Sequence, residues 1–171
     1  MRIKSILLFS ALLVLVVATL SCKKKSPAPT PTPTAIPPTF SFTALGIAAT
    51  GVQYTITNPQ GGPLQVTGSN ASNTSNYQTV QITVTGGSIT APGTFTLNAT
   101  ASSGGNSGVY TSGSGSFLYN TNASHTGSIT VSKVDMVNRL ISASFNFSAQ
   151  EYTPTNTSSG TISGSFTNVG F

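Results

Sequence analysis

The sequence predicts an all-β domain over residues 39–171: an antiparallel β-sandwich or, alternatively, a small closed β-barrel, preceded by a signal peptide and a disordered proline-rich linker. Three observations predict it. Apolar residues recur with period two, which places every second side chain on one buried face of a strand. Clusters of Gly, Pro and Asn separate these runs at short intervals. From Thr39 onward the chain keeps one composition, rich in Ser, Thr, Gly and Asn with scattered aromatics, and only 5% of all residues are charged. No segment of ten residues carries helical periodicity.

Taken in order, the runs are Val52, Tyr54, Ile56; Leu64, Val66; Val80, Ile82, Val84; Phe95, Leu97, Ala99; Ile129, Val131; Ile141 to Ala149; and Ile162, Phe166. The clearest is Ile141-Ser142-Ala143-Ser144-Phe145-Asn146-Phe147-Ser148-Ala149, apolar at every odd position and polar at every even one. It places Phe145 and Phe147 together in the core. Asn58 to Pro63, Gly86-Gly87, Ala91-Pro92-Gly93, Gly104-Gly105-Asn106 and Thr153 to Asn156 supply the turns. A chain of this size buries about two thirds of its unfolded surface, so the domain is stable without a disulfide. A transmembrane barrel is disfavoured: it needs strands of about 9 to 11 residues and aromatic girdles, whereas the runs are mostly shorter and Trp is absent.

The N-terminal residues read as an address. Arg2 and Lys4 precede an apolar run from Ile6 to Ala18, followed by Thr19-Leu20-Ser21-Cys22, the order of a secretory signal with small residues ahead of its cleavage point. The run is too short for a membrane-spanning helix, which needs roughly 20 apolar residues. Cys22, the only cysteine, resembles the lipobox cysteine of bacterial lipoproteins. That resemblance implies a signal peptide over 1–21, lipidation at Cys22 and a membrane partner reached through the N-terminal lipid. Residues 22–38 then form a Lys- and Pro-rich linker in which Ser26 to Pro38 is extended. At about 3.1 Å per residue it holds the domain roughly 40 Å from the bilayer.

The C-terminal third carries a second resemblance. Gly127 to Asp135, Leu140 to Ala149 and Thr161 to Val169, with Gly93-Thr94-Phe95-Thr96-Leu97 upstream, are similar to a family of small secreted Bacteroidota lipoproteins whose shared domain has no assigned function. The resemblance implies an all-β, membrane-anchored protein and transfers no catalytic residue. Lys23 directly follows the cysteine where an aspartate would retain the protein at the inner membrane, which implies the outer membrane. Surface-exported lipoproteins of that group carry acidic residues at this point. Lys23 to Lys25 are the reverse and favour the periplasmic side.

Charge excludes nucleic acid as a partner. The whole sequence has a pI near 9.7 and a formal charge of +5, but Arg2 and Lys4 belong to the signal and Lys23, Lys24 and Lys25 lie beside the lipid. Beyond residue 25 Lys133 and Arg139 cancel Asp135 and Glu151, leaving no basic stripe to neutralise phosphates.

The reactive inventory argues against an enzyme. Asp135 and Glu151 are the only possible carboxylate pair beyond the linker, and they fall at opposite ends of the expected hairpin, with Glu151 just past its strand. Glycoside hydrolysis requires such a pair about 5 to 9.5 Å apart. His125 and Asp135 lack an activated serine. His125 has no second His or Cys to complete a metal site, and Asp135 lacks the further carboxylates of a calcium site. Neither a metal nor a cofactor is expected. His125 reads as a solvated loop residue, Asp135 as a turn residue accepting local backbone N–H groups, and Lys133 with Glu151 as a surface ion pair.

Tyr77, Tyr110, Tyr119 and Tyr152 lie in polar, Gly-rich surroundings and are the candidate ligand contacts. Clustered on one concave face they would form a sugar-binding surface; buried or dispersed they would be structural. The expectation is therefore a non-enzymatic, lipid-anchored envelope protein with a structural or general role. The alternative is an accessory glycan- or peptide-binding lipoprotein of a surface uptake complex, with a glycan or an envelope protein as partner.

Overall fold

The structure is a computed structural model that describes residues 36–49, 52–57, 62–70, 77–113, 117–152 and 158–171. The expected signal peptide, Cys22 and the linker up to residue 35 lie outside the described residues. From Ile36 to Phe171 the chain is one compact unit.

That unit is all-β. Eleven strands follow in chain order: β1 (Thr39–Ala44), β2 (Ile47–Ala48), β3 (Val52–Thr57), β4 (Leu64–Asn70), β5 (Gln78–Val84), β6 (Gly93–Leu97), β7 (Ser107–Ser112), β8 (Phe117–Asn120), β9 (Gly127–Asp135), β10 (Leu140–Glu151) and β11 (Ser159–Gly170). Thr, Val, Ile and Phe dominate them, side chains that are stiff at χ1 and pack well on a pleated, half-buried surface. Among the described residues a single 3-10 turn, Ala101–Ser103, interrupts the strands.

Every strand pairing is antiparallel, and the strands form one continuous sheet in the order β2-β1-β11-β10-β8-β7-β5-β4-β3, with β9 and then β6 branching from β10. The two layers of the expected sandwich are thus halves of one sheet that curls into a half-barrel. β10 is the branch point. One edge pairs with β11 along its length; on the other, Leu140 to Phe147 pair with β9 while Gln150 and Glu151 pair with β8. Serving two neighbours makes β10, like β11, 12 residues long, longer than the alternation predicted.

The curl closes on aromatic rings. Phe40 of β1 stacks on Phe166 at 5.5 Å and, across the layer, on Tyr54 of β3 at 6.0 Å. Gly68 of β4 lies under the Phe40 ring, where any Cβ would collide with it. Phe145 and Phe147 are both buried, as the alternation predicts, with Leu64, Val66, Ile82, Ile129, Ile141 and Ile162 around them. The outer face carries Ser144, Asn146, Thr94 and Thr130, hydroxyls and an amide where a membrane barrel would show apolar groups to lipid. No helix among the described residues is long and apolar enough to cross a membrane.

Candidate functional site

At one end of the half-barrel the inward-facing positions change character. The row formed by Gly68, Val80, Tyr110, Tyr119 and Glu151 is in register across five strands. The next row outward brings Gln78 opposite Ser112 and Ser112 opposite Phe117, and Asn70 ends β4 beside them, its Oδ1 accepting the Gln78 backbone N–H at 2.6 Å. Period-two alternation forces this: Leu64, Val66, Gly68 and Asn70 share a face, as do Gln78, Val80, Ile82 and Val84. The last inward position of β4 and the first of β5 are amides where the others are apolar or glycine.

Above this polar row lies a cavity of about 580 Å³, lined by Leu45, Ile47, Ala48, Asn70, Tyr77, Gln78, Tyr110, Ser112, Gly113 and Phe117. Its far wall is the β1–β2 turn. Leu45 and Gly46 have φ of 52° and 80°, the left-handed pair of a two-residue hairpin. A leucine in this region costs about 1 to 2 kcal/mol. It is held there by its N–H, which donates to the Thr161 carbonyl at 3.1 Å, and by its side chain packing on Gly160, where no Cβ would fit.

The floor is hydrogen-bonded but incomplete. The Tyr110 phenol bonds the side chains of Ser112 and Gln78, and burial pushes its pKa up. Gln78 is 6% exposed, and its Oε1 is buried with no hydrogen-bond partner. Next to Tyr110, at 5.8 Å between ring centroids, Tyr119 bonds the Glu151 side chain. Burial first, and then the Glu151 carboxylate, raises the Tyr119 pKa.

The four candidate tyrosines therefore separate. Tyr77 and Tyr110 line the cavity, Tyr110 from the core. Tyr119 is buried beneath it. Tyr152, 74% exposed, stands apart beside a smaller cavity of about 230 Å³ with Thr100, Ala101, Ser102, Leu118 and Asn120. They form no single exposed cluster, so by themselves they speak for structure; the polar row found at the cavity makes the site.

Of the charged residues, Asp135 behaves as the turn predicts. Its carboxylate accepts the backbone N–H and the side-chain amide of Asn138, both at 2.9 Å, and these bonds, the side-chain one foremost, hold its pKa below 3.8. Glu151 differs from expectation. It is the last residue of β10 and buried, because it continues the inward series Phe145, Phe147, Ala149. It forms no pair with Lys133, which sits opposite Ser142 at the other end of the strand and donates to Asn168 Oδ1 at 3.2 Å. Asp135 pairs with nothing catalytic either: it lies opposite Leu140 at the start of β10 and Glu151 ends that strand, so about 36 Å of strand runs between their positions.

His125 is half-buried in a turn built by Asn122, whose Oδ1 accepts the backbone N–H groups of Ser124 and His125 at 2.8 and 2.9 Å and lies 3.3 Å from His125 Nδ1. It precedes β9, and Asp135 ends it, so the length of that strand separates them. Among the described residues no group of three or more His, Cys, Asp or Glu could hold a metal ion.

The family model of a domain of unknown function (DUF6252) matches residues 37–170. Neither the curated proteins nor the solved structures contain a match to this chain.

Proposed function

Proceeding from the DUF6252 family of domains of unknown function, to which this chain belongs, we propose that the protein is a non-enzymatic, lipid-anchored envelope protein. Its half-barrel works by contact at the end that carries the cavity. The observation that carries this is the placement of two ends. Ile36, where the described domain begins, has its carbonyl bonded by Asn168 Nδ2 at 3.3 Å, near the end of β11. The cavity lies at the start of that strand, where Leu45 packs on Gly160. Eight residues of extended chain between Gly160 and Asn168 span about 26 Å.

Ile36 and the cavity therefore lie at opposite ends of the domain. Two or three acyl chains give stable attachment where one is marginal, and Lys23 to Lys25 add about 1 kcal/mol each on anionic headgroups. Resemblance to Bacteroidota-type lipoproteins supports the outer membrane, and the lysines after Cys22 support its periplasmic side.

Metabolic labelling with radioactive palmitate and fractionation of cells tests the anchor. The wild type is expected labelled and in the membrane fraction, and Cys22→Ala unlabelled and either soluble or unprocessed. Mature wild-type protein found wholly in the soluble fraction would overturn the reading.

A further inference from the structure

We propose that the cavity at the open end of the half-barrel is a binding site for a short neutral saccharide, with a sugar face on Tyr77 and Phe117 and its hydroxyl edge toward Asn70, Gln78 and Ser112. The proposal rests on the reading that the domain works by contact and not by catalysis.

The lining chooses the ligand class. Among the described residues that line it, none but the phenols is ionisable: there is no Lys or Arg to receive an anion and no Asp or Glu to receive a cation. A charged ligand would lose its water without a counter-charge, which is costly. A purely apolar ligand would leave the Gln78 Oε1 acceptor without a donor. Neutral sugars present both faces at once, an array of C–H groups that packs on aromatic rings and a rim of hydroxyls that donate and accept. The cavity's volume of about 580 Å³ falls within the roughly 300 to 1,000 Å³ of small-ligand sites.

The floor also has an opening for a donor. Gln78 Oε1 is a buried acceptor without a partner, a state that costs about 1 to 3 kcal/mol in a folded protein. A ligand hydroxyl at the polar row supplies the missing proton donor once the Gln78 side chain turns its Oε1 toward the cavity. Tyr77 and Phe117 stand at the wall, Phe117 47% exposed, a large apolar ring left in water at a concave surface. A peptide fits less well. Extended peptides join sheets through unpaired backbone at an edge, whereas the cavity's floor comes from β4, β5, β7 and β8, each paired on both sides, and the edge strand in its wall, β2, is only two residues long.

The test uses the mature, lipid-bearing protein in detergent. It is titrated by calorimetry and by ligand-observed NMR with cellobiose, maltose, lactose, xylobiose and N,N′-diacetylchitobiose, and with a digalacturonate as the acidic control. Saturable binding of at least one neutral disaccharide is expected. Phe117→Ala and Tyr77→Ala should each weaken it about tenfold, the scale of one lost aromatic contact. Tyr152→Ala, at the other cavity, should leave it unchanged. Ile47→Ser, at a rim position 62% exposed, gives a second disruption should either aromatic variant fail to fold. No saturable binding by any neutral sugar, unchanged affinity in the rim variants, or equal affinity for the digalacturonate would overturn the proposal. Chromatography of the sugar after incubation separates the two readings, since binding with cleavage would refute non-enzymatic action and leave the site standing.

Discussion

Asp135 illustrates how a single exposed carboxylate closes a turn. Both of its oxygens accept from Asn138, at the backbone and the side-chain amide, bonds that favour the ionised form and lower its pKa. A depressed folded-state pKa means that the group's contribution to stability is present above its unfolded pKa, about 3.9, and is lost as pH falls through the lower folded value. Carboxyl NMR titration of the wild type is expected to place the Asp135 midpoint below that of an unstructured Asp. In Asn138→Ala, which removes the larger of the two bonds' effects, the midpoint should move back toward it. An identical midpoint in both proteins would contradict this account. Gly160 sets the opposite kind of constraint: it stabilises nothing by contact of its own and instead leaves the space that the strained Leu45 occupies at the cavity wall.

Among elements, β10 decides most. It carries Phe145 and Phe147 into the core, with ring centroids 6.3 Å apart, and the ring of Phe147 lies over Gly108 of β7, whose added Cβ would come within 2.9 Å of it. Truncating either phenylalanine to Ala deletes a ring from a space that cannot collapse, and chemical denaturation is expected to show a loss of about 3 to 5 kcal/mol for each. Gly108→Ala overfills the same place from the other side and should cost about 1 to 3 kcal/mol. Phenylalanine losses of only a few tenths would show that the strand's register differs from the one described. A bulge between Ile141 and Ala143 shifts the pairing with both β9 and β11. The Ser142 hydroxyl there accepts the Asn168 N–H at 2.9 Å, so the bulge keeps that donor satisfied.

For the whole molecule the telling quantity is the distribution of charge. Each Lys, Arg, Asp and Glu among the described residues is engaged separately: Lys133 with Asn168, Arg139 over the Phe171 ring at 5.8 Å, Asp135 with Asn138 and Glu151 with Tyr119. They make no patch, and their formal charges cancel. A chain starting at Ile36 is therefore expected to focus near neutrality and to pass a heparin column at low salt without retention, despite the pI near 9.7 of the full sequence. Near-zero charge also removes the repulsion that keeps proteins apart, so its solubility near pH 7 should be limited. Salt-sensitive retention on heparin would mean that Lys133, Arg139 and His125 act together.

The sequence by itself determined what depends on neighbours along the chain. Period-two alternation identified strands and their buried faces, because successive side chains in extended backbone point to opposite sides. Phe145, Phe147 and the Asp135 turn were legible for that reason, and so was the cancellation of charge. Extending the same alternation by one step to Glu151 and Gln78, and by two past Val66 to Asn70, would have marked them as inward polar residues, a sequence signal of the polar end beside the candidate tyrosines Tyr77 and Tyr110. Tertiary structure decided the rest. That Thr39 pairs with Thr167, that β6 joins β9, and that β10 divides its edge between β8 and β9 depend on which edges meet once a twisted sheet curls, and no local pattern encodes this. The cavity exists only because that curl brings Leu45 and Ile47 opposite Gln78 and Phe117. Its separation from Ile36 follows from the length of β11, whose start lies at the cavity and whose end lies beside Ile36.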